Sequence, residues 1–130
     1  MRLLTALIVD EIRETEDGRV DLLGLREDLY FDAVPVLLER MTLFLELEVS
    51  PEDRGRRHAL GFQLSGDDDR VLKEVPIQFS IPPDYPRPTA PLDPTLFELP
   101  FERFGPHYLD IFVGGTHARR LYLTVRPREI

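Results

Sequence analysis

Apolar and polar side chains alternate along most of this chain with a period of two, the spacing of a strand with one dry face and one wet face. Between 41 and 49, Met41, Leu43, Leu45, Leu47 and Val49 share a face opposite Thr42, Glu46 and Glu48, with Phe44 as the exception. Between 58 and 65, Leu60, Phe62 and Leu64 alternate with Gly61, Gln63 and Ser65. Over 71–81, Val71, Val75, Ile77, Phe79 and Ile81 alternate with Glu74, Pro76, Gln78 and Ser80. The stretch 107–113 sets Leu109, Ile111 and Val113 against Asp110, and 119–126 sets Leu121, Leu123 and Val125 against Arg120, Thr124 and Arg126. Strands wetted on one side belong to antiparallel sheets. Residues 3–9 are apolar on both faces and predict a strand lying deep. Asp17-Gly18 signals a turn, Val20, Leu22 and Leu23 return as a second strand, and Gly24 ends it. The expected fold class is all-β, a two-sheet antiparallel β-sandwich in a single domain, 1–130.

Three places resist the simple pattern. In 25–40 the apolar residues have no clean period and Pro35 forbids a continuous helix. The segment reads as an ordered crossing loop with a short extended piece near 28–31 and room for a helical turn at 36–40. Residues 82–94 carry six prolines and read as a stiff connection between the two sheets, in preference to a polyproline ligand. Pro76 cannot donate to a ladder, so its strand is expected at an edge or bulged there. At the C-terminal hairpin, Gly114-Gly115 invites a two-residue turn, but a regular ladder from that turn would set Leu109 opposite Arg120. A five-residue loop, Gly114 to Ala118, sets Leu109 opposite Leu123 and is the expectation; a three-residue loop, setting Leu109 opposite Leu121, is the second choice.

Charge and composition narrow the function classes. The net charge is −8, which weighs against nucleic acid despite small basic clusters at Arg54, Arg56, Arg57 and at Arg119, Arg120. There is no cysteine, so disulfides and thiolate metal sites are excluded and a reducing cytoplasm is the natural setting. The apolar run of 3–9 is too short for a leader and stops at Asp10-Glu11, and no stretch approaches the ~20 apolar residues of a membrane span. Lys73 is the one lysine beside fifteen arginines, asparagine is absent and prolines number twelve. That bias fits a thermophile, a GC-rich genome, or both.

Candidate chemistry is thin. His58, His107 and His117 show no metal-ligand spacing. Asp67-Asp68-Asp69 reads as a solvated turn; a calcium site would need help from Asp10, Asp32, Asp84 or Asp93. Ser50, Ser65 and Ser80 lie in no nucleophile motif. No catalytic, cofactor-binding or metal residue is assigned, and no cofactor is expected.

One resemblance runs through both ends of the chain. The opening LTALIVDEIRETEDGRVDLLG, with Asp10, Gly18 and Gly24, and the close FGPHYLDIFVGG followed by RRLYLTVRP are similar to a bacterial family of small domains of unknown function. The resemblance implies an immunoglobulin-like β-sandwich and transfers no activity. Tyr108, after Gly105-Pro106, would suit a corner tyrosine bonding nearby backbone. The function expected is a non-catalytic binding or assembly module, not an enzyme. Its partner is expected to be protein, with homo-oligomers through strand edges open as well. The alternatives are a small enzyme or metal-dependent domain using loop aspartates, and a carrier of a small apolar ligand.

Overall fold

The computed structural model describes residues 1–128. Ten strands among them form two sheets. The first sheet holds β1 (Arg2–Glu14), β2 (Val20–Leu25) and β4 (Val36–Glu48), in the order β2-β1-β4. The far side of β4 is shared by β8 (Thr95–Phe101), paired to its first half, and β7 (Thr89–Leu92), paired to its second. The second sheet runs β3 (Asp28–Phe31), β10 (Thr116–Pro127), β9 (Gly105–Val113), β5 (Arg56–Gly66) and β6 (Val71–Ile81).

One core lies between the sheets. Met41, Leu43, Leu45 and Leu47 of β4 are buried against Leu60, Phe62 and Leu64 of β5, with Leu109, Ile111, Leu123 and Val125 beside them. These are the residues that the period of two placed on the dry faces. Each such side chain, fully buried, stabilises the fold by roughly 1.5–3 kcal/mol.

Several expectations are corrected. The helical turn at 36–40 is strand, and most of 25–40 is strand as well: β3 matches the extended piece near 28–31, and β4 begins at Val36. β1 continues past Asp10 to Glu14, and β2 runs through Gly24 to Leu25. Gly24 has φ +69°, and a Cβ there would stand 2.2 Å from Asp10 Oδ2, so a glycine lets the Asp10 carboxylate close over β2. The sheets are not purely antiparallel, because β3 pairs β10 in parallel, Thr124↔Asp28 to Pro127↔Phe31. Residues 82–88 do link the second sheet to the first, but 89–92 form β7. β8 went unforeseen.

β6 is an edge strand, with Pro76 opposite Gly61 of β5 and, among the described residues, no strand on its other side, as its proline required. The C-terminal hairpin turns in two residues, with Thr116↔Val113 and His117↔Phe112. The five-residue loop is therefore wrong. Ala118 is then left over in a bulge, and the ladder resumes at Arg119↔Ile111, Arg120↔Asp110 and Leu121↔Leu109. Parity between the two core faces is restored by the bulge instead of by the loop.

Candidate functional site

The hairpin register sets three polar and aromatic pairs side by side on the outer face of the second sheet: His117↔Phe112, Arg120↔Asp110 and Tyr122↔Tyr108. Asp110 sits between the buried Leu109 and Ile111 and points the other way, yet only 3% of it is exposed. Its neighbours cover it. Arg120 donates from Nε to Oδ1 (2.9 Å) and from Nη2 to Oδ2 (3.1 Å), and His117 Nε2 donates to Oδ1 at 2.8 Å. The Arg120 guanidinium lies 4.4 Å from the centre of the Tyr108 ring, which meets Tyr122 edge-on at 5.5 Å. His117 in turn packs edge-on to Phe112 at 5.3 Å.

Burial pushes the Asp110 carboxyl toward the neutral form, and the bonds from Arg120 and His117 outweigh it, so its pKa lies below the ordinary carboxylate value. The bond to Asp110 raises Arg120. A carboxylate held ionised, with donors on both oxygens, is a poor acid or base; its effect is to fix Arg120 and His117 in place.

Beside this cluster lies an open seam. β2 covers β1 only from Val9 to Glu14, and β3 covers β10 only from Thr124 onward. The chain crosses between the sheets at 25–28, where Arg26 N donates to Ile8 O and Thr124 N donates to Glu27 O. Strand backbone groups point alternately to either side, so Ala6 on β1 and Arg120 and Tyr122 on β10 aim their amides and carbonyls into the same seam. A groove of about 540 Å³ runs along it, walled by Leu7, Leu121 and Tyr122. Tyr122 is 67% exposed.

The other candidates scatter. His58 Nε2 donates to Asp53 O, and Ser50 caps the single turn of 3-10 helix at Pro51–Asp53. His107 is buried, bonded to Gly105 O and edge-on to Phe101. Ser65 is buried, and Ser80 lies on the edge strand β6. Asp67, Asp68 and Asp69 form the turn between β5 and β6, with Asp68 Oδ1 accepting from Arg70 N. Asp10 pairs with Arg26 and Asp32 with Arg128. Asp84 and Asp93 fall on either side of β7, in the links to β6 and β8. Among the described residues no group of three or more His, Cys, Asp or Glu side chains is placed to hold a metal ion. Tyr108 is not a corner tyrosine: its ring carries Arg120, and the hydroxyl that bonds nearby backbone is that of Tyr85, to Thr89 O at 2.7 Å. The sequence signal for the cluster was Asp110 itself, a charge inside an apolar strand; neither a regular ladder from the two-residue turn nor the five-residue loop sets Arg120 opposite it, and the bulge does.

Fold and site thus define a two-sheet all-β domain with a polar and aromatic cluster beside an open strand seam. The chain belongs to the family of unknown function DUF6941, whose members it matches over residues 4–126. No curated protein matches it. Among solved structures it is similar to the alkylpurine DNA glycosylase AlkC of Pseudomonas fluorescens, bound to DNA containing an abasic site analog. There 77% of this chain aligns with 28% of that one, at 12% identity and a TM-score of 0.48. The chain spans little more than a quarter of that enzyme, and at this level of likeness neither fold nor function passes between them. No helix among the described residues is long and apolar enough to cross a membrane.

Proposed function

We propose that the protein is a non-catalytic binding module that holds another protein along the seam between β1 and β10. The observation that carries this reading is the exposed Tyr122, set on a stretch of β10 that pairs β9 on one side and, among the described residues, no strand on the other. An extended segment added there gains main-chain hydrogen bonds from the edge and specificity from side-chain pockets. Tyrosine and arginine dominate protein-binding hot spots, and Tyr108, Tyr122 and Arg120 stand together at the rim, with Asp110 holding the arginine rigid. The contrast with β6 supports the choice of edge: that edge is guarded by Pro76, whereas no proline interrupts β10 before Pro127. Against the enzyme reading stands the commitment of the Asp110 carboxylate to Arg120 and His117. We read the frame as an immunoglobulin-like sandwich, in keeping with two sheets around one core. Its setting is the cytoplasm of a thermophilic bacterium, a reading supported by the absence of cysteine and the excess of arginine over lysine.

Tyr122→Pro tests the proposal. The Tyr122 amide points into the seam, so proline there removes an edge donor and a ring while leaving the bonds to β9 in place. Gentle purification from the source cell should bring a stoichiometric protein with the wild-type chain and lose it with the folded variant. Equal retention by both, or none by either, sinks the reading.

A further inference from the structure

A second hollow, away from the β10 rim, has a different chemistry. It is a cleft of about 490 Å³ where β3 of one sheet faces β1 and β4 of the other. Its depth is apolar: Ile8, Leu29 and Met41 are buried core residues, and Phe31 and Leu38 pack half-buried against them. Its rim is cationic. Arg26, Arg40 and Arg128 all line it, against one carboxylate, Asp10. Counting Asp32 beside Arg128, the local excess is one positive charge, on a chain of net charge −8.

The three arginines are not equivalent. Arg26 is committed to Asp10, which takes both Nε and Nη2, and Gly24 leaves the room that this pair needs. Arg128 reaches the exposed Asp32 at 3.5 Å. Arg40 has no carboxylate within ion-pair distance among the described residues, and it sits between Leu38 and Met41, two of the apolar walls. Tyr30 and Thr42 add hydroxyl groups to the same lining. An apolar floor under a few convergent polar groups is the usual build of a small-molecule site, and the size falls within the range of such sites, about 300–1,000 Å³. A guanidinium recognises a carboxylate through two parallel N–H bonds.

We propose that this cleft binds a small amphipathic carboxylate, its apolar body against Leu29, Leu38 and Met41 and its headgroup on Arg40. This site goes beyond the protein-binding reading and does not depend on it, since neither Arg120 nor Tyr122 takes part.

Titration of the intact chain with octanoate, followed by methyl resonances, tests the proposal. Octanol serves as the tail without the charge and acetate as the charge without the tail. Octanoate should shift the Leu29, Leu38 and Met41 methyls saturably, while octanol and acetate each bind at least tenfold more weakly. Arg40→Ala, an exposed change that leaves the core intact, should weaken octanoate at least tenfold, and Arg40→Lys should recover part of the loss. Saturable shifts elsewhere, no saturation, or equal affinity of wild type and Arg40→Ala would each overturn the assignment.

Discussion

Lys73 Nζ, on the edge strand of one sheet, donates to the backbone carbonyls of Phe97 at 2.7 Å and Glu98 at 3.1 Å on the other. Those two residues are where β8 changes face. Leu96 is buried, Phe97 and Glu98 are exposed, and Leu99 and Phe101 are buried again, so the inward positions pass from even to odd. β4 makes the same change opposite, from Val36 and Leu38 to Met41 and Leu43, with Glu39 and Arg40 exposed between. The register holds through it, Leu38↔Leu99 and Arg40↔Phe97. Glu98 takes φ 54°, a left-handed conformation that a non-glycine residue adopts at some cost.

Lys73 therefore fastens a paired kink. Lys73→Met keeps the stem and removes the ammonium, and should cost about 1–2 kcal/mol, the scale of a charged hydrogen bond partly open to solvent. Urea unfolding measures this. An unchanged midpoint would mean that the kink is held by packing alone.

The kink also explains what the sequence concealed. Strands whose faces alternate without a break, such as Leu60-Phe62-Leu64 and Leu121-Leu123-Val125, could be read at once. β8 and the first residues of β4 could not, because a change of parity after three or four residues erases the alternation on which such a reading depends. In β7, Pro91 hid the strand further. The cluster around Asp110 was half legible. Its members were visible as exceptions within strands, and the mismatch between a two-residue turn and the core register announced a shift of one residue, but not that a bulge at Ala118 would absorb it. Arg40 was illegible as a site residue, since its partners in the cleft come from β1 and β3.

Asp110 should make stability depend on pH in one direction. Its pKa is lower in the folded chain than in the unfolded one, because the bonds from Arg120 and His117 outweigh burial. The stabilisation is then complete above the unfolded value of about 4 and is lost as pH falls through the folded value. Asp110→Asn should cost about 1–3 kcal/mol at neutral pH, by analogy with a lost charged bond at a buried site. The gap from wild type should narrow on acidification below about pH 4. A gap of constant size from pH 7 to pH 3 would assign the cost to shape and not to charge.

Pro76 guards the β6 edge, and its removal should show. Pro76→Thr restores a strand-forming residue with an amide on an edge that has no neighbouring strand among the described residues. Sedimentation velocity over a range of concentrations should find more self-association in the variant than in wild type. Identical behaviour would indicate that the exposed side chains of β6, and not the proline, keep that edge single.

The last prediction concerns Ala118. The two-residue turn at Gly114-Gly115 and the core register of β10 disagree by one residue, and the bulge absorbs the difference. Before it, His117 pairs with Phe112; after it, Arg119 pairs with Ile111. Removing Ala118 joins these two pairs into a continuous ladder without changing either. Leu121 would remain opposite Leu109, Leu123 opposite His107, and Arg120 opposite Asp110. Deleting a residue beyond the bulge acts otherwise: loss of Tyr122 would turn Leu123 and Val125 outward, at roughly 1.5–3 kcal/mol for each. Deletion of Ala118 should therefore leave stability within about 1 kcal/mol of wild type, the scale of a local backbone adjustment, and deletion of Tyr122 should unfold the chain or cost several times as much. Chemical denaturation of the two variants decides it. If the Ala118 deletion fails as badly as the Tyr122 deletion, the bulge is needed for the twist of the hairpin and not merely tolerated by its register.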